Sequence, residues 1–275
     1  MANVLTTKQA QFKASMLTLL AETGGARLIE FCDSELNSVG ETYTFNRLNE
    51  SSTQNTLDMF DAGFTGNGGA TGKVVVTTDF IYSADWLKEK DLKQTNVDLK
   101  SAYAKSFKRA IDRKIDDVII ASIVANNANL ATAGNNLNSL AVNFDELVQT
   151  IAYSMALVED NDDHGNNVAL IMNRLDFSAL FAIDKFTNAD YNKGLGVGKT
   201  NLAGAVIVPT DAVPKGTLYV LPRNTVCFTQ WKGGNKAVME LETGKDAYKV
   251  WARTSAGATL GDLDATSVTK FSVLA

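Results

Sequence analysis

Residues 194–200 read GLGVGKT, and Gly198-Lys199-Thr200 matches the end of a phosphate-binding loop. Such a loop has the form G-x-x-x-x-G-K-[ST], because the first glycine turns the chain and the backbone amides then cradle phosphate oxygens. Counting back five residues from Gly198 gives Lys193, not glycine. The flanks disagree as well. A phosphate loop joins a strand to the N-terminus of a helix, whose dipole helps hold the anion. Here NADYNK precedes the loop, and the β-branched NLAGAVIVP follows it and ends in proline. A nucleotide-binding enzyme built on this stretch is the minority reading. The favoured one is a loop in which Gly194, Gly196 and Gly198, beside Lys199, permit close approach of another chain.

The acidic EDNDDHG at 159–165 is the second candidate. Asp160, Asp162, His164 and Gly165 fall at the first, third, fifth and sixth places of a calcium loop. The twelfth place, where a bidentate Glu is required, is Ile171, so the stretch reads as a solvated acidic turn. His164 is the only histidine. Paired-histidine zinc motifs are thereby excluded, and a Ser-His-Asp triad has one histidine to draw on. No G-x-S-x-G elbow is present. Spacing alone does not say which acids face each other as a glycosidase pair. Cys32 and Cys227 form neither a disulfide framework nor a zinc quartet and read as small buried hydrophobes. Lys108, Arg109, Arg113 and Lys114 make a basic run in SFKRAIDRK, diluted by Asp112, Asp116 and Asp117. It reads as the wet face of a helix, with contact to acidic neighbours or a nucleic acid backbone as the alternative. No catalytic, cofactor-binding or metal-binding residue is assigned.

The elements that carry these stretches are those of a globular α+β protein. Hydrophobic residues are 45% and charged residues 21% of the 275-residue chain. No apolar run has the length of a membrane span. Lys8, Gln9, Gln11 and Lys13 break the apolar centre that a secretion signal needs, which predicts a chain that stays in the cytoplasm. The net charge of −5 argues against a dedicated nucleic acid binder.

Periodicity places the elements. Phe12, Met16, Leu19 and Leu20 predict a helix over 6–21, ended by Gly24-Gly25. ETYTFNRL at 41–48 alternates as a strand, and KVVVTT reads as its partner. Between them Gly63, Gly66, Gly68, Gly69 and Gly72 predict a long hairpin with a polar, mobile tip. From 97 to 126, Tyr103, Phe107, Ala110, Ile111, Ile115, Val118, Ile119 and Ile123 form one apolar line. Thr95 or Asn96 caps its start, Thr95 with Asp98 resembling a capping box, and about 30 residues make a helix of roughly 45 Å. A second helix is predicted over 143–160, capped by Asn143 with Glu146 three residues on. VALIMN is a buried strand and RLDFSALFAI a helix. AVIVP, TLYVL, TVCFTQ, AVMELE, DAYKVWA and SVTKFSVL are strands separated by Gly, Pro, Asn and Asp.

Taken in order, an N-terminal arm, a Gly-tipped hairpin, DWLKEKDL, the long helix AYAKSFKRAIDRKIDDVIIASI, a mixed segment and closing strands resemble the major capsid protein of tailed double-stranded DNA phages, the fold typified by phage Hong Kong 97. The resemblance implies an arm at 1–38, an extended loop at 39–85, a peripheral domain at 86–142 and 233–275, and an axial domain at 143–232. It implies that Gly63, Phe64, Gly66, Gly68, Gly69, Gly72 and Lys73 contact a neighbouring subunit. Gly194, Gly196, Gly198 and Lys199 would lie in an axial loop. It further implies self-assembly as hexamers and pentamers into an icosahedral virion shell. That shell would form in the host cytoplasm and enclose DNA without reading its sequence. Scaffolding and portal proteins are the implied partners; no membrane, cofactor or catalysis is implied. Some relatives carry a long N-terminal scaffolding segment, and its absence here implies a separate scaffold. An encapsulin, a cargo-holding shell of the same fold, is the nearest alternative; a tail or baseplate protein is another.

Overall fold

A computed structural model gives the fold of residues 12, 14, 16, 17, 26–48, 71–88, 99–126, 131, 132, 144, 145, 147–149, 151, 152, 168–183, 201–242, 244, 245, 247–261 and 268–272. Two sheets organise them.

The first sheet is built on β12 (Ala247–Leu260), which is long enough to hold three partners. β4 (Asp79–Lys88) pairs antiparallel with it along 247–256. β11 (Lys236–Glu242) pairs along 247–253 and β10 (Val226–Trp231) along 257–260. β1 (Cys32–Ser38) then adds parallel to β10. Side chains alternate across a strand. Tyr248, Val250, Ala252, Ile81 and Leu87 therefore point into a core, while Phe80, Tyr82, Trp86 and Lys249 point away.

The long helix, α1 (Leu99–Ala125), lies across that core face. Its 27 residues span about 40 Å at 1.5 Å each. Ala104, Phe107, Ile111, Ile115, Ile119, Ile120 and Ile123 are buried on it, together with Phe12, Met16, Leu28 and Phe31. Tyr103 and Val118 are half-buried at the edges of this line. Ala110, expected in it, faces solvent and Asp112 is buried instead. The period of 3.6 puts residue 110 about 100° round from Ile111, outside the buried arc. Thr95, Asn96, Asp98, Gly24, Gly25, Asn143 and Glu146 lie outside the described residues.

The second sheet has the order β5-β13-β9-β6-β8-β7: Ala131–Thr132, Thr269–Ser272, Thr217–Pro222, Val168–Met172, Ala205–Pro209 and Asn201–Leu202. The central β6 is buried along its whole length. Ala169 and Ile171 join the first core. Val168, Leu170 and Met172 join a second core with Phe144, Leu147, Ile151 and Leu180. Two-sided burial explains why VALIMN is continuously apolar. Asn173 then starts α2 (Arg174–Leu180): its Oδ1 accepts from the Leu175 amide at 3.0 Å, and its Nδ2 donates to the Val213 carbonyl at 2.7 Å. The remaining pair, β2 (Thr42–Leu48) and β3 (Thr71–Thr77), is an antiparallel hairpin.

The two sheets interleave along the chain: β1 and β10 sit in one sheet with β4, β11 and β12, and β13 pairs with β9 and β5 in the other. Strand partners are chosen by long-range contacts, which a linear pattern of apolar residues does not encode.

Candidate functional site

The β2–β3 hairpin is held at its root. Phe45 and Val76 are buried against Cys227 of β10, with Tyr43 and Val74 flanking them. The Thr78 amide and hydroxyl both donate to the Glu41 carbonyl, at 2.8 and 3.1 Å, closing the root. Gly257 of β12 lies directly under it. A Cβ there would press into the Thr77 carbonyl oxygen and stand 2.8 Å from its carbonyl carbon. Only glycine allows β12 to pass so close. The register runs out to Leu48 opposite Thr71, with Gly72 opposite Arg47 and Lys73 opposite Asn46. Lys73 is exposed. Gly63, Phe64, Gly66, Gly68 and Gly69 lie outside the described residues.

The outward face of the first sheet is aromatic and cationic. Phe80, Tyr82 and Trp86 of β4 are 45%, 74% and 41% exposed. Arg253 stands over the Phe80 ring at 4.4 Å, Lys245 over Trp86 at 4.3 Å and Lys236 over Trp251 at 5.5 Å. Each ring face attracts its cation. An exposed apolar patch rimmed in this way suits contact with another protein. Sequence periodicity marks only the two-residue spacing of Phe80 and Tyr82, and nothing local marks Gly257.

On the other side of the molecule an open cleft of about 740 Å³ separates α1 from the second sheet. Arg27, Arg109, Arg113, Asp116, Arg174 and Asp211 line it. Lys108 and Asp112 form an i,i+4 ion pair at 2.5 Å, as the sequence spacing predicts. Asp116 accepts the Leu28 amide at 3.1 Å and the Arg27 amide at 3.4 Å. Burial pushes its pKa up to about 6; Asp112 adds to this, while the two amides and Arg27 oppose it. The tie joins α1 to the segment before β1. Burial likewise pushes the Cys32 thiol far up, and both cysteines are buried and unbridged, as their isolation in sequence predicts.

The remaining candidates behave as follows. Gly194, Gly196, Gly198 and Lys199 lie outside the described residues, but β7 begins directly at Asn201. A strand follows Lys199-Thr200 where a phosphate loop opens a helix, so this stretch has no helix N-terminus to hold an anion. Asp160, Asp162, His164 and Gly165 also lie outside the described residues; Ile171 is fully buried in β6. Among the described residues no group of three His, Cys, Asp or Glu surrounds a point as a metal requires.

The body has two sheets, a long helix across one of them and a hairpin seated on β10 and β12, and comparison with known families says where such a chain belongs. The family model described as phage capsid protein matches residues 4–272. The chain belongs to the phage capsid protein family. It is a structural protein that assembles with itself into a shell, and its place is the capsid of a virion. No curated protein matches it. Solved structures share the fold. The capsid of an empty GTA particle superposes with a TM-score of 0.66 at 12% identity, over 91% of this chain and 90% of that one. The capsid of the cyanophage P-SCSP1u gives 0.63 at 13%, over 90% and 88%. The virus-like particle from Pyrococcus furiosus gives 0.61 at 10%, over 96% and 99%. The α+β capsid fold expected from the layout is the fold of these chains.

Proposed function

We propose that this capsid protein assembles as hexamers and pentamers into the closed icosahedral shell around the double-stranded DNA of a tailed phage. Assembly takes place in the host cytoplasm with scaffolding and portal proteins. The observation that carries this is the hairpin root. Its two strands are anchored on Cys227 and pinned under Gly257, which fixes the hairpin as a unit that a neighbouring subunit can engage. In this reading Gly63, Phe64, Gly66, Gly68, Gly69, Gly72 and Lys73 contact the adjacent subunit. The arm is 1–38, the extended loop 39–85, the peripheral domain 86–142 and 233–275, and the axial domain 143–232, with Gly194, Gly196, Gly198 and Lys199 on an axial loop. The chain needs no cofactor and performs no catalysis.

Light scattering on the purified chain, with negative-stain microscopy of the large fraction, is the test. Closed polyhedral shells, or discrete pentamers and hexamers, are expected. Rings or open tubes would instead make it a tail or baseplate component. The near-complete match in both directions with the Pyrococcus furiosus particle favours one second reading, a cargo-holding shell. Shells from the native source that contain protein and no DNA would establish it.

A further inference from the structure

The whole chain carries a net charge of −5, yet one line on it is cationic. On α1, Lys105, Arg109 and Arg113 are exposed and follow at four-residue steps, so they stack along one face about 6 Å apart. Arg27 reaches the same cleft from the segment before β1. Of the four acids that line the cleft, Asp112 pairs with Lys108, Asp211 with Arg174 at 3.0 Å and Asp116 with two backbone amides; the fourth, Asp117, lies four residues beyond Arg113, past the end of the cationic line. Among the described residues Lys105, Arg109 and Arg113 form no ion pair with an acid, whereas Arg27 acts on the Asp116 carboxylate. Like charges at four-residue spacing weaken a helix by a few tenths of a kcal/mol each. An incoming polyanion reverses that cost.

We infer that this line meets the phosphodiester backbone of the enclosed nucleic acid, which makes the exposed face of α1 a surface turned to the shell interior. The inference rests on the reading that the shell encloses DNA. Its chemistry separates a phosphate backbone from an acidic protein. A protein interface is anchored by buried aromatic or apolar side chains. Among the described residues, Ser106 and Ala110 are what stands beside the cations on this surface. Among the described residues no aromatic side chain lines this cleft to stack a base, so the contact is electrostatic and independent of sequence. Arginine's planar fork suits phosphate oxygens. The apolar anchors lie on the opposite side of the first sheet, on Phe80, Tyr82 and Trp86, where a protein neighbour fits better.

The test uses the full-length chain before assembly and a short fluorescein-labelled DNA duplex, read by anisotropy across a salt series. The triple variant K105Q/R109Q/R113Q is expected to lower the slope of log K against log salt by about three, and Arg109→Gln alone by about one. The single variant carries the test if the triple does not fold. K236Q/K249Q/R253Q on the sheet face is the control and should keep the parent's slope. Equal loss in the control, or no loss in either helix variant, overturns the inference. So does a polyglutamate peptide that binds through Arg109 and Arg113 while the duplex does not. Microscopy of the same samples keeps the two readings apart. Shells that form normally with an unchanged salt slope sink this inference alone, whereas a parent that never forms shells sinks the shell reading.

Discussion

Substituting Gly257 by alanine perturbs the place where the body meets the hairpin. The added Cβ would stand 2.8 Å from the Thr77 carbonyl carbon and 3.1 Å from Thr78 Cα, and closer still to the Thr77 oxygen. These are backbone atoms, so no side chain can turn aside. β12 is held by β4 up to Ala256 and by β10 from Gly257 onward, which leaves the β3–β4 junction to move. That movement strains the Thr42–Thr77 pair and the Thr78-to-Glu41 bond. Overpacking costs roughly 1–3 kcal/mol, and one weakened hydrogen bond adds about 1 kcal/mol. A loss of ~2–4 kcal/mol is therefore expected in urea unfolding of the unassembled chain, accompanied by fewer closed shells. Gly244→Ala is the control, since a Cβ there meets nothing within 4 Å; it should stay within about 0.5 kcal/mol of the parent. If Gly257→Ala is as mild as Gly244→Ala, the close approach of β12 does not position the hairpin.

Three further outcomes are expected. Burial raises the Asp116 pKa from 3.8 to about 6, so between these values the folded chain holds a proton that the unfolded chain releases. Stability from this group is present below about pH 4 and is lost as pH rises through 6. Asp116→Asn should therefore exceed the parent by ~2 kcal/mol at pH 8, allowing for water on the open side of the cleft, and match it at pH 4. A deficit of equal size at both pH values would show that the bonds to the Arg27 and Leu28 amides outweigh burial. In the buried Gln230–Thr254–Asn235 cluster, Gln230 Nε2 donates to Thr254 Oγ1 at 2.7 Å and Thr254 Oγ1 donates to Asn235 Oδ1 at 2.6 Å. Thr254→Val should cost roughly 1–3 kcal/mol in the same unfolding assay; a neutral result would mean that the two amides re-pair directly. Finally, ATP with magnesium should leave the melting temperature unchanged in both parent and Lys199→Ala; a rise in the parent alone would restore nucleotide binding at 194–200.

Much of the architecture was legible because it rests on local periodicity. α1 announces itself through Phe107, Ile111, Ile115, Ile119 and Ile123, and β2 through alternating Tyr43 and Phe45. VALIMN reads as buried because both its faces meet a core. β4 was not legible. DFIYSADWLK places Ser83 and Asp85 in register with Ile81 and Leu87, and it exposes Phe80, Tyr82 and Trp86, the reverse of an amphipathic strand. The cleft was equally hidden. Asp116 binds backbone amides 88 and 89 residues away, and Arg174 pairs with Asp211 across a separate sheet. No spacing rule reaches that far. The burial of Asp112 is legible only once the i,i+4 partner Lys108 is placed beside it.

The parallel pairing of β1 with β10 sets a clock on folding. Cys32 lies opposite Val226, and the Thr229 hydroxyl reaches the Glu35 carbonyl across 194 residues of chain. Contacts so remote form late, because the loop they close must be ordered first. At a synthesis rate of about 5–20 residues per second, β1 waits on the order of 10–40 s for its partner to leave the ribosome. The hairpin root waits as long, since Phe45 and Val76 rest on Cys227. A nascent chain thus has no seated hairpin before β10 is made, and the first sheet closes only when translation has nearly finished.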